Sequence, residues 1–350
     1  MAKTMLLGDR SVGEGTPCFL IAEAGVNHNG DLRLAERLID AACNSGADAV
    51  KFQSFHADDL ATPGAAKAGY QKKGKGDRET QRGMLRGLEM AGDDLEHLAG
   101  YARDRGILFL SSPFDAGSAD SLERIGVPAY KIASGELTNT PLLRHIARKG
   151  KPMILSTGMA GLVEIEEAIR VIRGEGVADL VLLHCVTRYP APLREVNFRV
   201  IPTLRAAFGL PVGYSDHTLG ITAPLVALAL GACVIEKHLT LDRGLPGPDH
   251  RASLEPGEFG EMARLLREVE EGLGNGVKEI GSEEREMRMA ARRSLVAARD
   301  IPRGTILGPG MIATKRPGTG IPPAYLDSFL GRKSRVTIPK DSLLTWDMVE

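Results

Sequence analysis

PVGYSDHTLGITAPLVALALGACVIEKHLT (residues 211–240) decides the fold. It opens on a short apolar run, PVGYSDH (211–217), passes through an apolar stretch, and closes on a second run, CVIEKHLT (233–240). Two strand-like runs with such a stretch between them read as one unit of a parallel sheet. Working outward, FLIAEAGVN (19–27), ADAVKFQ (47–53), GILFLSSPF (106–114), AYKIAS (129–134), PMILSTG (152–158) and LVLLHCV (180–186) complete the strand candidates. The segments between them, such as LRLAERLIDAACNSG (32–46) and GLVEIEEAIRVIRGEG (161–176), carry apolar residues at i, i+3, i+4 and i+7 and end in Gly. Eight such units predict an α/β fold, a closed (β/α)8 TIM barrel, over residues 1–276.

Each run turns polar toward its C-terminal end. Glu23 and Asn27, Lys51 and Gln53, Ser112, Lys131 and Ser134, Ser156 and Thr157, Thr187 and Tyr189, Ser215 and His217, and Glu236 and His238 all occupy that phase. In a barrel those ends form the catalytic face. Simple strand-end polarity, where the chain meets water, is the bland alternative for any single Ser or Thr.

Composition narrows the partners. Lys+Arg 44 against Asp+Glu 45 leaves a net charge of -1, without the field that holds nucleic acid or an anionic membrane. Aromatics at 5% with a single tryptophan, Trp346, argue against a stacking platform for single-stranded nucleic acid. Cys18, Cys43, Cys185 and Cys233 lie far apart, so neither a disulfide framework nor a CxxC zinc site is expected, and a reduced cytoplasmic protein fits. The apolar stretch near the N-terminus is too short for a signal-peptide core. The run Ile221 to Ile235, broken by Thr222, Pro224 and Gly231, is too short to span a membrane.

Between the second and third strands, residues 55–90 are too long for an ordinary βα loop and read as an insertion over the barrel mouth. Their KKGKG stretch (72–76) reads as a solvated, mobile loop rather than a phosphate clamp. After the eighth helix, the charged residues 277–293 read as an extended linker to a second domain, 294–350. Within that domain ARDIPRGTILGPGMI (298–312) and RVTIPKDSLLTWDMV (335–349) match at constant offset, pairing Ile301 with Ile338, Pro302 with Pro339, Leu307 with Leu344 and Met311 with Met348. The repeat predicts a small pseudo-symmetric β module.

The histidines ending the last two strands, His217 and His238, would be neighbours at one mouth, and imidazole suits Mn, Zn, Co or Fe. A pair of hydrogen-bonded structural histidines is the other reading. Glu23 and Asp249, in the PGPDH turn, supply nearby carboxylates. Lys131 reads either as a Schiff-base nucleophile, which needs an apolar pocket to depress its pKa, or as an anion ligand. Lys51, Ser134, Ser156 and Ser215 on the adjacent rim favour the anion.

These motifs together, IAEAGVNHNGD, ADAVKFQ, LSSPFD, YKIASGELTN, ILSTGM, LLHC, VGYSDHTLG, VIEKHLTLD and PGPDHRASLEP followed by KRPGTGI, resemble sialic acid synthase. This phosphoenolpyruvate-condensing family also includes legionaminic and pseudaminic acid synthases and spore-coat polysaccharide relatives. The similarity runs from about residue 17 to the C-terminus. It implies a barrel followed by an antifreeze-like SAF domain. It makes His217 and His238 ligands of a divalent metal, Mn2+ first, with Mg2+ or Co2+ as alternatives. Lys51, Ser112, Lys131, Ser134, Ser156 and Ser215 would hold phosphoenolpyruvate, with Glu23 near the metal water. Gln53, Glu136, Tyr189 and Asp249 would face the acceptor sugar. Arg316, in KRPGTG, would reach the barrel of the other protomer of a homodimer. Thr187 stands where some sialic acid synthases have Asn.

The implied reaction is condensation of phosphoenolpyruvate with an N-acyl hexosamine such as N-acetylmannosamine, with Glu23 and Glu136 as the carboxylates for proton transfer and positioning. A Schiff-base aldolase using Lys131 is the alternative enzyme. A carbohydrate-binding or ice-binding module is the alternative outside enzymes.

Overall fold

The computed structural model describes residues 4–72 and 79–350, so residues 73–76 of the KKGKG stretch lie outside the described residues. The chain divides into two compact units, Met1–Gly274 and Asn275–Glu350.

The first unit opens with an antiparallel hairpin of β1 (Thr4–Leu7) and β2 (Arg10–Gly13). Eight parallel strands follow: β3 (Phe19–Gly25), β4 (Ala49–Ser54), β5 (Leu108–Pro113), β6 (Tyr130–Ile132), β7 (Met153–Ser156), β8 (Leu180–Cys185), β9 (Val212–Asp216) and β10 (Val234–His238). They run in the order β5-β4-β3-β10-β9-β8-β7-β6. β5 and β6, at the two ends of that order, lie beside each other and nearly close the sheet into the expected barrel.

Strands buried on both faces explain the near-continuous apolar runs that revealed them. Leu20, Val50, Phe52, Leu155, Leu182 and Ile235 pack outward against the helices. Ile21, Ala49, Leu110, Ile154, Val181, Leu183 and Val234 fill the lower interior. Met5, Leu7 and Val12 of the hairpin join that inner cluster, so the hairpin stoppers the end of the barrel away from the polar strand ends. Sequence reading gave the hairpin no strands, because its apolar residues are too few to show a period. Gly25, at φ +54, sits where the β3–β4 register shifts, and its turn ends β3 two residues short of the expected Asn27.

Among its described residues the insertion forms two short helices, Ala57–Leu60 and Gln81–Arg86, with one 3-10 turn, Gly69–Gln71. All four cysteines are free. No helix among the described residues is long and apolar enough to cross a membrane.

In the second unit, residues expected as an extended linker instead include a helix, Ser282–Ala291. Its first turn carries Glu283 and Glu284 and its last Arg288, which suits the helix dipole, and it buries no residue of its own. A helix with only solvated faces leaves no apolar stripe to read. β11 (Ser294–Ala297) and β12 (Ile312–Lys315) pair antiparallel. The two repeats meet about Ile301 and Ile338, each donating its N–H to the other's carbonyl at 2.9 Å. Leu307 and Leu344, equivalent positions, are both buried in the core of this module.

Candidate active site

The polar strand ends surround a cavity of about 350 Å³. Glu23, Lys51, Gln53, Ser112, Lys131, Ser134, Glu136, Ser156, Tyr189, Ser215, His217, His238 and Asp249 all line it, so thirteen of the fourteen site residues expected from sequence come together here. The fourteenth, Arg316, belongs to the second unit, where it is exposed just after β12.

Alternation along each strand produces the arrangement. Ser215 on β9 and Glu236 and His238 on β10 face inward, while Asp216 and Lys237 face the helices. Lys51 Nζ lies 2.6 Å from Glu23 Oε2 and 3.7 Å from Glu236 Oε2. It also donates to Ser112 Oγ at 3.1 Å. Lys131 Nζ lies 3.3 Å from Glu236 Oε1, which accepts from Ser215 Oγ at 2.9 Å. Gln53 Nε2 donates to Glu23 Oε1 at 3.1 Å. Two buried ammonium groups, two buried carboxylates and several hydroxyls therefore line one cavity.

Burial dominates the titration of these groups, and the charges then sort them. Burial pushes Glu23 up, with Glu236 adding to it against the opposing pull of Lys51. Burial would also raise Glu236, but Lys131 and Lys51 overrule it and hold the carboxyl low. Burial lowers Lys131. Asp249 is pushed up to about 6 by burial and by the charge of Glu23. Burial also raises Glu136, whose Oε2 accepts from Asn139 Nδ2 at 2.7 Å.

The two histidines stand on neighbouring strands with ring centroids 5.5 Å apart. His217 Nδ1 is 2.9 Å from the Val186 carbonyl, which only accepts, so in the neutral ring this nitrogen carries the hydrogen and Nε2 is the one that offers a lone pair. His238 Nδ1 is buried with no hydrogen-bond partner. A free lone pair on one ring and an orphaned nitrogen on the other fit a divalent ion better than they fit a satisfied structural pair. The backbone carbonyl behind His217 is the outer support that such ligands use. Among the described residues the one grouping of three ligand atoms is elsewhere, at His56, Asp59 and Asp115. Asp115 is occupied there, accepting from the N–H groups of Ser118 and His56.

The Tyr189 ring lies tilted against the His217 ring with centroids 4.0 Å apart, and Tyr70 of the insertion stacks on Tyr189 at 4.7 Å. Val26, Leu60, Met84, Leu85, Leu88 and Phe114 give the cavity an apolar wall. That wall went unread in the sequence, since scattered apolar residues in an insertion look like local packing. The role of Glu236 went unread too, although its i, i+2 spacing from His238 places both on one face. Thr187 lines the cavity, and its Oγ1 would stand 2.2 Å from a Cβ at Gly158, which must therefore remain glycine while Thr187 holds that place.

A near-closed (β/α)8 barrel with basic, acidic and imidazole groups converging at its C-terminal mouth defines an enzyme. The chain belongs to the NeuB family, whose model matches residues 38–278, with an SAF domain matching residues 292–350. It is 45% identical to the N,N'-diacetyllegionaminic acid synthase of Legionella pneumophila, over 98% of each chain. It is 36% identical to human N-acetylneuraminate-9-phosphate synthase, over 97% of this chain and 95% of the relative. Among solved structures, an N-acetylneuraminic acid synthetase from Leptospira borgpetersenii in complex with citrate superposes with a TM-score of 0.74 at 36% identity, covering 82% of this chain and 95% of that one.

Proposed function

We propose that the enzyme condenses phosphoenolpyruvate with an open-chain N-acyl hexosamine and water, giving a nine-carbon sialic-type acid and phosphate. The observation that carries this reading is the juxtaposition of the Lys51–Lys131 anion site with the His217–His238 pair in one cavity. The relatives' names support it, since each describes a synthase of such an acid.

In this reading Lys51, Lys131 and the hydroxyls of Ser112, Ser134, Ser156 and Ser215 bind the carboxylate and phosphate of phosphoenolpyruvate. Ser156 Oγ, buried without a partner, has a free donor for it. A divalent ion held by His217 and His238, Mn2+ first and Mg2+ or Co2+ as alternatives, supplies Lewis acidity for the acceptor's aldehyde oxygen. Gln53, Glu136, Tyr189 and Asp249 orient the sugar with its aldehyde carbon toward C3 of phosphoenolpyruvate. The C3–C1 bond forms with positive charge left at C2, water adds there, and C–O cleavage releases phosphate. Glu23, raised by burial and within reach of the cavity, takes the proton from that water.

The acceptor is N-acetylmannosamine or a close relative: its 6-phosphate, or the 2,4-diacetamido-6-deoxy hexose that a legionaminic-type product requires. A panel of these sugars with phosphoenolpyruvate, reading phosphate release, tests the reaction and chooses among them. No release with any acceptor would sink it. The Schiff-base reading fares worse, because Lys131 lies beside Glu236 in a polar ring rather than in an apolar pocket.

The family resemblance adds a homodimer in which Arg316 serves the other protomer. Mixing inactive Arg316→Ala and His238→Ala subunits under exchange should restore activity if so, and a dead mixture would end that part of the proposal.

A further inference from the structure

Asp216 and Lys237 are register partners on β9 and β10, and each immediately precedes one of the two histidines. Their side chains point away from the cavity and are completely buried, at 0% exposure for both. Lys237 Nζ donates to Asp216 Oδ2 and to the Thr218 carbonyl, each at 2.5 Å. Asp216 Oδ1 accepts from the Thr218 backbone N–H at 2.8 Å and from the Tyr214 hydroxyl at 2.9 Å. The residues on both sides of His217 are thus tied to the residue before His238.

A buried ion pair of this kind is poor value for folding, since desolvating two charges cancels most of their attraction and apolar replacements of similar volume are often as stable. Its geometry, however, is restrictive. Six polar atoms must meet at fixed distances, which fixes the height and twist of one strand end against the next.

We propose that the Asp216–Lys237 pair is a positioning clamp that sets the separation of the His217 and His238 imidazoles, so that its loss costs metal affinity rather than stability. The inference rests on the reading that these histidines hold a divalent ion. Neither clamp residue touches the ion or the substrates; both act through the backbone of the strand ends.

The test is Mn2+ binding to the full chain, read by electron paramagnetic resonance of the free ion without turnover, alongside thermal unfolding. In the double variant Asp216→Leu/Lys237→Met the unfolding midpoint should stay at or above that of the parent, while the Kd for Mn2+ rises about 10- to 100-fold, as for other outer supports of metal ligands. An unchanged Kd in the folded double variant overturns the clamp. Should that variant fail to fold, Asp216→Asn, which keeps shape and an acceptor for Thr218, carries the decision. A raised Kd with an unchanged circular dichroism spectrum supports the clamp, and an unchanged Kd overturns it. His217→Ala is the control. If it binds Mn2+ as the parent does, the metal reading itself is lost and the clamp with it, a result distinct from either variant outcome above.

Discussion

The Glu236 carboxylate lies 3.3 Å from the Lys131 ammonium, and the same carboxylate faces Lys51 from its other oxygen at 3.7 Å. One acid therefore serves two buried cations. Burial lowers the Lys131 pKa, which a nucleophilic amine would need, yet the adjacent Glu236 favours the charged form. In the proposed function Lys131 is an anion ligand, since Glu236 lies beside it in a polar ring. Lys131→Arg should raise the KM for phosphoenolpyruvate and keep residual turnover. Lys131→Met should cost about 3 kcal/mol of stability by leaving Glu236 with one cation, the more distant Lys51. Borohydride reduction in the presence of substrate should leave the mass of the chain unchanged, and an imine-derived adduct on Lys131 would overturn the assignment.

His217→Ala and His238→Ala should each abolish turnover while leaving the fold intact, because both rings stand at strand ends above the packed interior. Circular dichroism and thermal unfolding check the second half of that statement. Chelation of the parent enzyme should reproduce the loss, and re-addition of Mn2+ should reverse it. A chelator-insensitive His217→Ala enzyme with near-normal activity would contradict the metal site.

The barrel was legible because its strands are buried on both faces, which writes each as a compact apolar run ending in polar residues. The cavity-lining residues were legible for the same reason: Glu23, Lys51, Lys131 and His238 occupy the phase where apolar character stops. Three features left no such mark. The β1–β2 hairpin has too few residues to show a period. The helix Ser282–Ala291 has no buried face. Asp216 and Lys237 are polar residues inside apolar strands, and only the β9–β10 register shows that they neutralise each other. Family resemblance named their neighbours and passed over the pair.

Asp249 should link pH to stability and, if it grips the acceptor, to activity. Its carboxyl moves from an ordinary 3.8 to about 6 in the fold, so folding favours its protonated form. The stabilising contribution is therefore full below pH 3.8 and is lost as pH rises through about 6. Above that pH the buried charge is a cost. If the carboxylate grips the acceptor, kcat/KM for the sugar should fall below pH 6 with a limb that Asp249→Asn lacks. The Asn variant should be less active at pH 8 but no less stable than the parent there. A limb that survives in the variant would assign it to another group.

If the proposed function holds, the apolar wall faces the acceptor sugar rather than phosphoenolpyruvate. Met84 and Leu88 of the insertion line the cavity and pack in an apolar cluster with Val26 and Phe55. Polar substitution there should leave the anion site alone and disturb whatever lies against the wall. Met84→Gln should raise the KM for the acceptor sugar about 10-fold, the size of effect expected when an apolar contact is replaced by an unmatched polar group. The KM for phosphoenolpyruvate should stay within about twofold, because no residue of the wall donates to an anion. The loss should be larger for acceptors with a methyl group at the distal end than for those with a hydroxyl. Steady-state kinetics with 6-deoxy and 6-hydroxy acceptors measures the difference. Equal losses for both sugars, or a rise in the phosphoenolpyruvate KM alone, would mean that the acceptor does not rest on this wall.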